Sequence, residues 1–155
     1  MTINRSTLVF FDASCLIAGA GSPSGGSGFL LSLCARGFLR AAVSQPVLLE
    51  AQRNIQNKLG EDALSRFYNF LAVVPFILVP VTEKEELRDY YKDINQKDIH
   101  VLAAANAVHS PFLITLDKGL LLEVARADLN ITALTPSDFI KKILPTHVDY
   151  PTDQD

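Results

Sequence analysis

Short apolar runs alternate with longer stretches of helical periodicity along the chain, and this alternation restricts the possible folds more than any other feature. Five runs have the length and composition of buried strands, at residues 8–11, 39–43, 76–81, 112–116 and 131–134. Because helical stretches separate these runs, the pattern predicts an α/β fold with a mostly parallel central sheet.

The helical stretches begin and end at residues that are typical of helix termini. Ser44 is a predicted N-cap with Pro46 in the first turn, and Gly60 follows the end of that helix near Leu59. Pro111 ends another helix. Further helices are predicted at residues 29–35, from 62 onward, from 82 onward with a capping box formed by Thr82 and Glu85, at 99–108, at 120–127 and from 135 to 143.

The overall composition is that of an ordinary globular chain. Its 155 residues, 48% of them hydrophobic, predict one domain over residues 1–144, followed by a flexible tail at 145–155. No apolar run approaches the roughly 18 residues that a membrane span needs. The N-terminus lacks the pattern of a secretion signal, so we expect a cytoplasmic protein.

Two local features of the sequence predict structure rather than chemistry. Cys15 and Cys34 lie in apolar surroundings without metal-ligand spacing, which indicates buried free thiols. The stretch 21–28, with the sequence GSPSGGSG, predicts a flexible loop. It lacks the Lys-Ser/Thr ending of a phosphate-binding loop, so a nucleotide site is not expected there.

Four acidic residues occupy positions from which they could meet at one edge of the sheet. Asp12 and Asp117 directly follow two predicted strands, Asp98 opens a helix, and Glu50 lies in the first turns of another. Ligands of parallel α/β sheets bind beyond the carboxyl ends of the strands. Four carboxylates can share a pocket only with cations, and hard oxygen ligands suit Mg²⁺ or Mn²⁺.

Each of these acids also has an ordinary structural explanation. Asp12 could cap the following turn, and Asp98 is a suitable helix N-cap. Glu50 could be a solvated helical residue, and Asp117 could be a turn residue after a strand. Their joint placement, rather than any one of them, supports a metal site.

The same four positions carry a resemblance to a known family. The segments 9–14 (VFFDAS), 44–50 (SQPVLLE), 97–105 (KDIHVLAAA) and 112–118 (FLITLDK) occur in the order and spacing of a PIN-domain protein. The chain therefore resembles the PIN-domain ribonucleases that serve as toxins of toxin–antitoxin pairs.

This resemblance implies a three-layer α/β/α sandwich whose acidic pocket binds Mg²⁺ or Mn²⁺. It implies cleavage of single-stranded RNA by a metal-activated water, with Asp12, Glu50, Asp98 and Asp117 as catalytic and metal-binding residues. Ser14 and Thr115 would be supporting hydroxyls. Many relatives carry a further acidic or polar residue shortly after the last aspartate, where this chain has Asp117-Lys118-Gly119. This difference leaves open whether the chain binds one metal ion or two.

The resemblance also implies partners. These are single-stranded RNA, a cognate antitoxin protein and a second copy of the chain in a homodimer. Lys97 and Lys118 adjoin the proposed ligands and are the best candidates for contacts with RNA phosphates.

Two other functions compete with the nuclease. The net charge of −3 and the missing acid at Gly119 favour a catalytically weak PIN-fold module that binds RNA or protein. A phosphatase that forms an aspartyl phosphate would need an Asp-x-Asp pair after the first strand. Position 14 is serine, which argues against the phosphatase.

Overall fold

Five parallel strands form a single sheet in the computed structural model, which describes residues 2–80 and 94–151. The strands are β1 (Leu8–Phe11), β2 (Arg40–Ser44), β3 (Ile77–Val79), β4 (Phe112–Ile114) and β5 (Thr132–Leu134). Their order across the sheet is β3-β2-β1-β4-β5, and every neighbouring pair is parallel. The mostly parallel sheet predicted from the sequence is confirmed.

Helices cover both faces of this sheet and give the three-layer α/β/α arrangement. They are α1 (Ala13–Gly21), α2 (Gly26–Ala35), α3 (Gln45–Lys58), α4 (Glu61–Val73), α5 (Gln96–Ala107), α6 (Lys118–Arg126) and α7 (Pro136–Asp138). A π-helical turn, Phe139–Ile143, and a 3-10 turn, Leu144–Thr146, continue α7. Within residues 2–80 and 94–151, none of these helices combines the length and apolar character required to span a membrane.

The central strand β1 shows why this sheet is buried on both faces. Val9, Phe10 and Phe11 are all fully buried, although successive side chains of a strand point to opposite faces. A continuous apolar run of this kind is typical of parallel strands that have helices on both sides. The core therefore extends above and below the middle of the sheet.

The strand order reverses between β1 and β4. From β1 the chain passes to β2 and β3 on one side, and it then crosses over to β4 and β5 on the other. The crevice beyond the carboxyl ends of the two strands at such a reversal is where open parallel sheets bind ligands. The fold thus singles out the ends of β1 and β4 as the place to look for chemistry.

Several predicted boundaries are confirmed or shift by a few residues. The Ser44 hydroxyl accepts a hydrogen bond from the Val47 amide at 3.4 Å, and the Thr135 hydroxyl accepts one from the Asp138 amide at 3.1 Å, as N-caps do. The fourth strand ends at Ile114 rather than at 116, because Leu116 leaves the sheet and is 46% exposed. The predicted helix opened by Thr82 and Glu85 lies outside the described residues, and so does the last residue of the predicted strand 76–81.

The largest difference between sequence and structure is at α1 and α2. The sequence pattern assigned no helix to residues 13–20, which form most of α1, and it predicted a loop over all of 21–28. In the structure α2 begins at Gly26, three residues earlier than predicted, so the connection is only residues 22–25. These segments are rich in Gly, Ala and Ser, and it is their packing on each other, rather than intrinsic propensity, that favours the helix.

The end of the chain lies against its beginning. The sequence predicts a flexible tail from residue 145, and within it residues 146–150 make specific contacts in the structure. Ile3 forms a parallel bridge with His147, and the buried His147 ring places Nε2 at 2.6 Å from the Phe38 carbonyl oxygen. The ring's Nδ1 accepts hydrogen bonds from the amides of Asp149 and Tyr150. Residues 152–155 lie outside the described range.

Candidate active site

Asp12 follows β1 directly and lies at the strand-order reversal. Its amide donates to the Ile114 carbonyl of β4 at 3.0 Å, and the residue is only 8% exposed. It occupies the N-cap position of α1, but its side chain accepts no capping hydrogen bond. Helix capping therefore does not account for a buried carboxylate at this position.

Two hydroxyl groups instead hold the Asp12 carboxylate in place. Thr115 Oγ1 donates to Asp12 Oδ2 at 2.7 Å, and Ser14 Oγ donates to the same oxygen at 2.9 Å. Backbone amides orient these hydroxyls, since the Asp117 amide donates to Thr115 Oγ1 and the Leu116 amide donates to Ser14 Oγ, both at 3.0 Å. Within the described ranges no hydrogen bond reaches Asp12 Oδ1, so this oxygen is available to a ligand.

The two carboxylate oxygens of Asp117 have different partners. Its Oδ1 caps α6, accepting hydrogen bonds from the amides of Gly119 at 2.8 Å and Leu120 at 3.2 Å. Its Oδ2 lies 3.9 Å from the Lys97 ammonium group. The turn and cap role that the sequence left open for Asp117 is therefore present, with the second oxygen directed to a cation.

Asp98 lies in the first turn of α5, not at its N-cap as we predicted. The helix begins at Gln96, and the Asn95 side chain is the cap, accepting from the Lys97 amide at 3.3 Å. The Asp98 side chain is 7% exposed. Because Asn95 provides the cap, the buried Asp98 carboxyl has no capping task.

The surroundings of Asp98 favour its protonated form when no metal ion is bound. Burial raises its pKa to about 7, and the neighbouring carboxyls of Glu123 and Asp117 act in the same direction. The positive charge of Lys97 opposes them. Asp98 is therefore influenced by the charges of Glu123 and Asp117 near the N-termini of α5 and α6, at the carboxyl edge of the sheet, where Asp12 also lies.

Glu50 is separate from this group. It lies on the exposed side of α3, and no hydrogen bond or ion pair within residues 2–80 and 94–151 connects its side chain to Asp12, Asp98 or Asp117. Of the four predicted acids, the structure brings Asp98 and Asp117 together and places Asp12 on the hydroxyls beside β4. A contribution of Glu50 to the site stays a prediction.

Glu123 is the acidic residue that the sequence analysis missed. It lies on α6, its Oε1 accepts a hydrogen bond from the Asn95 amide at 3.0 Å, and its buried Oε2 has no hydrogen-bond partner in the described part of the chain. The available signal was its spacing from Gly119, since residues four apart share a helix face. Nothing in the sequence indicates that Asn95, at the start of α5, lies beside that face.

The donor atoms fit a hard divalent cation. They are carboxylate oxygens, among them Asp12 Oδ1 and the unpartnered Glu123 Oε2, and Mg²⁺ and Mn²⁺ prefer such ligands. No three His, Cys, Asp or Glu side chains within the described ranges are already arranged around one metal position. The like charges near Asp98 are the groups that a cation would stabilise.

The remaining candidate residues are two exposed lysines and two buried cysteines. Lys97 and Lys118 are exposed, on the first turns of α5 and α6. Cys15 and Cys34 are buried free cysteines, as predicted. Burial, reinforced by the nearby charge of Asp12, raises the pKa of the Cys15 thiol to about 12, which makes it a poor nucleophile.

Comparison with known proteins finds this architecture among solved structures but not among known sequences. Neither a protein-family model nor a curated protein sequence matches the chain. Solved structures do match. VapBC2 from Rickettsia felis, bound to a DNA fragment from the promoter, is 20% identical with a TM-score of 0.62, over 83% of this chain and 98% of that one.

Two further structures are similar over comparable lengths. PAE2754 from Pyrobaculum aerophilum is 16% identical with a TM-score of 0.62, over 90% of this chain and 96% of that one. VapC20 from Mycobacterium tuberculosis, a toxin that cleaves the sarcin-ricin loop, is 16% identical with a TM-score of 0.53, over 80% and 98%. These likenesses together show that the chain has the fold of the PIN domain, as its four acidic motifs predicted.

Proposed function

We propose that the protein is a metal-dependent endoribonuclease that cleaves single-stranded RNA and acts as the toxin of a toxin–antitoxin pair. The observation that carries this proposal is the buried Asp12 carboxylate. It is held by two hydroxyls through one oxygen, at the point where the strand order reverses. Asp98 and Asp117 at the same edge supply further carboxylates.

The arrangement supports hydrolysis of a phosphodiester. Mg²⁺ or Mn²⁺ at such carboxylates would lower the pKa of a water and offset the charge that develops on the phosphate. Asp12 would hold the cation through Oδ1, while Ser14 and Thr115 keep its other oxygen in place. Asp98 and Asp117 would complete the binding, and Glu50 would approach from α3.

The two exposed lysines fit the RNA role. Lys97 and Lys118 lie beside the carboxylates at the N-termini of α5 and α6, where RNA phosphates would otherwise meet only negative charge. Helix N-termini also favour anions. We therefore propose that these lysines position the backbone of the substrate.

The toxin role is supported by the similar structures. One of them is VapBC2, and another, VapC20, is a toxin that cleaves the sarcin-ricin loop. A cognate antitoxin and a homodimer are accordingly part of the proposal, as is a place in the cytoplasm. An antitoxin with a basic side chain at the acidic edge would compete there with the cation.

A second candidate function is favoured by one observation. Glu50 is exposed and separate from the other acids, and no ready metal cluster exists among the described residues. A PIN-fold module that binds RNA or protein with little catalysis would need no such cluster. The same experiment separates the two functions.

The test is metal-dependent cleavage of labelled single-stranded RNA by the purified protein. With Mn²⁺ we expect cleavage that EDTA abolishes and that Asp12→Asn lowers by about a hundredfold or more. Asp128→Asn, at an exposed position, is the matched control and should retain full activity. RNA that is bound but never cut, with either metal, would establish the binding module instead.

A further inference from the structure

Glu123 lies on the helix face that begins with Gly119. The two residues are four apart on α6, so they are neighbours along one side of the helix. Side chains of a helix point back toward its N-terminus, and a glutamate is long enough to extend over the preceding turn. Glu123 thus carries a carboxylate on the same face of α6 as Gly119, which itself has no side chain.

The contacts of Glu123 show where that carboxylate lies. Its Oε1 accepts from the Asn95 amide at the start of α5, which fixes the side chain between α6 and α5. The Asp98 carboxyl is a neighbour of this carboxylate, which contributes to the raised pKa of Asp98. The second oxygen, Oε2, is buried and has no partner within residues 2–80 and 94–151.

A buried carboxylate oxygen without a hydrogen-bond partner is unfavourable, because nothing replaces the hydrogen bonds that it would make with water. Here a second buried carboxylate adds like-charge repulsion. A hydrogen-bonded proton would relieve only part of this, whereas a divalent cation would serve both groups. The carboxyl groups of Glu123 and Asp98 are therefore arranged as expected for a metal site that holds no metal ion.

We propose that Glu123, together with Asp98, is a ligand of the divalent cation. This inference rests on the proposed metal-dependent function of the same site. It assigns a metal ligand to a position outside the four sequence motifs. It also gives the unpartnered Oε2 a function.

The competing explanation is that Glu123 only anchors the start of α5 through its bond to Asn95. Glu123→Gln separates the two, because the glutamine carbonyl oxygen can still accept from the Asn95 amide while the negative charge is lost. An anchoring residue would tolerate this change. A metal ligand would not.

The experiment is a calorimetric titration of the metal-free protein with Mn²⁺ alone, which measures the affinity for Mn²⁺. We expect Glu123→Gln to weaken Mn²⁺ binding about tenfold or more, without lowering the stability of the metal-free protein. Glu61→Gln, an exposed glutamate on α4, is the matched control and should bind Mn²⁺ as the unmodified protein does.

The possible results of the titration distinguish the role of Glu123 from the proposed nuclease function. Equal Mn²⁺ affinity in Glu123→Gln and the unmodified protein would overturn the role of Glu123 and leave the proposed nuclease intact. Absence of Mn²⁺ binding in the unmodified protein would overturn both. If Glu123→Gln does not fold, Glu123→Asp keeps the charge on a shorter side chain, and affinity equal to that of the unmodified protein would likewise contradict the proposal.

Discussion

Asp98 is the residue whose surroundings differ most from those of a free carboxyl group. Burial and the neighbouring carboxyls raise its pKa from 3.8 to about 7. Between these two pH values, the metal-free folded protein keeps a proton on Asp98 that the unfolded chain has released. The stabilisation from that proton is complete below about pH 4 and is lost as the pH rises through about 7.

This linkage predicts a pH dependence that Asp98→Asn removes. In EDTA, the free energy of unfolding of the unmodified protein should fall relative to that of Asp98→Asn as the pH rises from about 4 to about 7. Urea unfolding at several pH values measures the difference. The exposed control Asp128→Asn should leave the profile of the unmodified protein unchanged. A constant difference between the unmodified protein and Asp98→Asn would show that Asp98 is not buried in this way.

The sequence predicted part of this site, for physical reasons that differ from residue to residue. Asp12 and Asp117 could be placed because an acid that follows an apolar strand in a parallel sheet must lie at its carboxyl edge. Glu123 could not be placed, because its role depends on a contact with Asn95, 28 residues away. Glu50 has the right motif, but its side chain is exposed and its helix alone does not direct it to the other acids.

At the scale of elements, the connection between α1 and α2 depends on one close approach. A Cβ atom added to Gly28 would overlap the Pro23 carbonyl oxygen, far inside any normal contact. The loop residues 22–25 therefore fold back against the first turn of α2. Only a glycine at position 28 allows this path.

Gly28→Ala should accordingly destabilise the protein by about 3 kcal/mol, because the backbone of the loop has to move to admit the methyl group. Gly21→Ala is the matched control. Its added Cβ would meet only the end of the flexible Leu59 side chain at 3.3 Å, so we expect a change within about 1 kcal/mol. Chemical denaturation measures both, and equal stability of the two variants would contradict the close approach.

The same two helices mark the limit of prediction for the fold. Strong signals such as the Ser44 cap and the apolar run of β1 located their elements within a residue or so. The helix α1 carried no comparable signal, because its Ala, Gly and Ser residues do not form a regular apolar stripe. Its position against α2, α3 and α4 is decided by tertiary packing.

At the scale of the whole molecule, the two ends of the described chain stabilise each other. Phe38 lies at the centre of this contact, with the rings of His147 and Tyr150 edge-on to it and the Arg5 guanidinium 4.3 Å from its centroid. An ion pair between Arg5 and Asp149, at 3.3 Å, lies beside it. These contacts join the N-terminal segment, the turn before β2 and residues 147–150.

Loss of the central histidine should therefore lower the stability of the entire domain. His147→Ala removes the bond to the Phe38 carbonyl and the acceptor of two amides, and we expect a loss of about 1–3 kcal/mol. The neighbouring Val148 is 64% exposed, so Val148→Ala should change stability by less than about 0.5 kcal/mol. Thermal unfolding in which both variants behave alike would show that the contact is not stabilising.

The hydrogen bond from Thr115 to Asp12 joins residues that are 103 positions apart in the chain. At about 5–20 residues per second, a ribosome needs between about 5 and 20 s to add the intervening segment. During that time β1 and its aspartate have been made, but β4 and the hydroxyl that holds the carboxylate have not. The proposed ribonuclease activity therefore cannot begin before β4 and Thr115 have been made and have emerged from the ribosome.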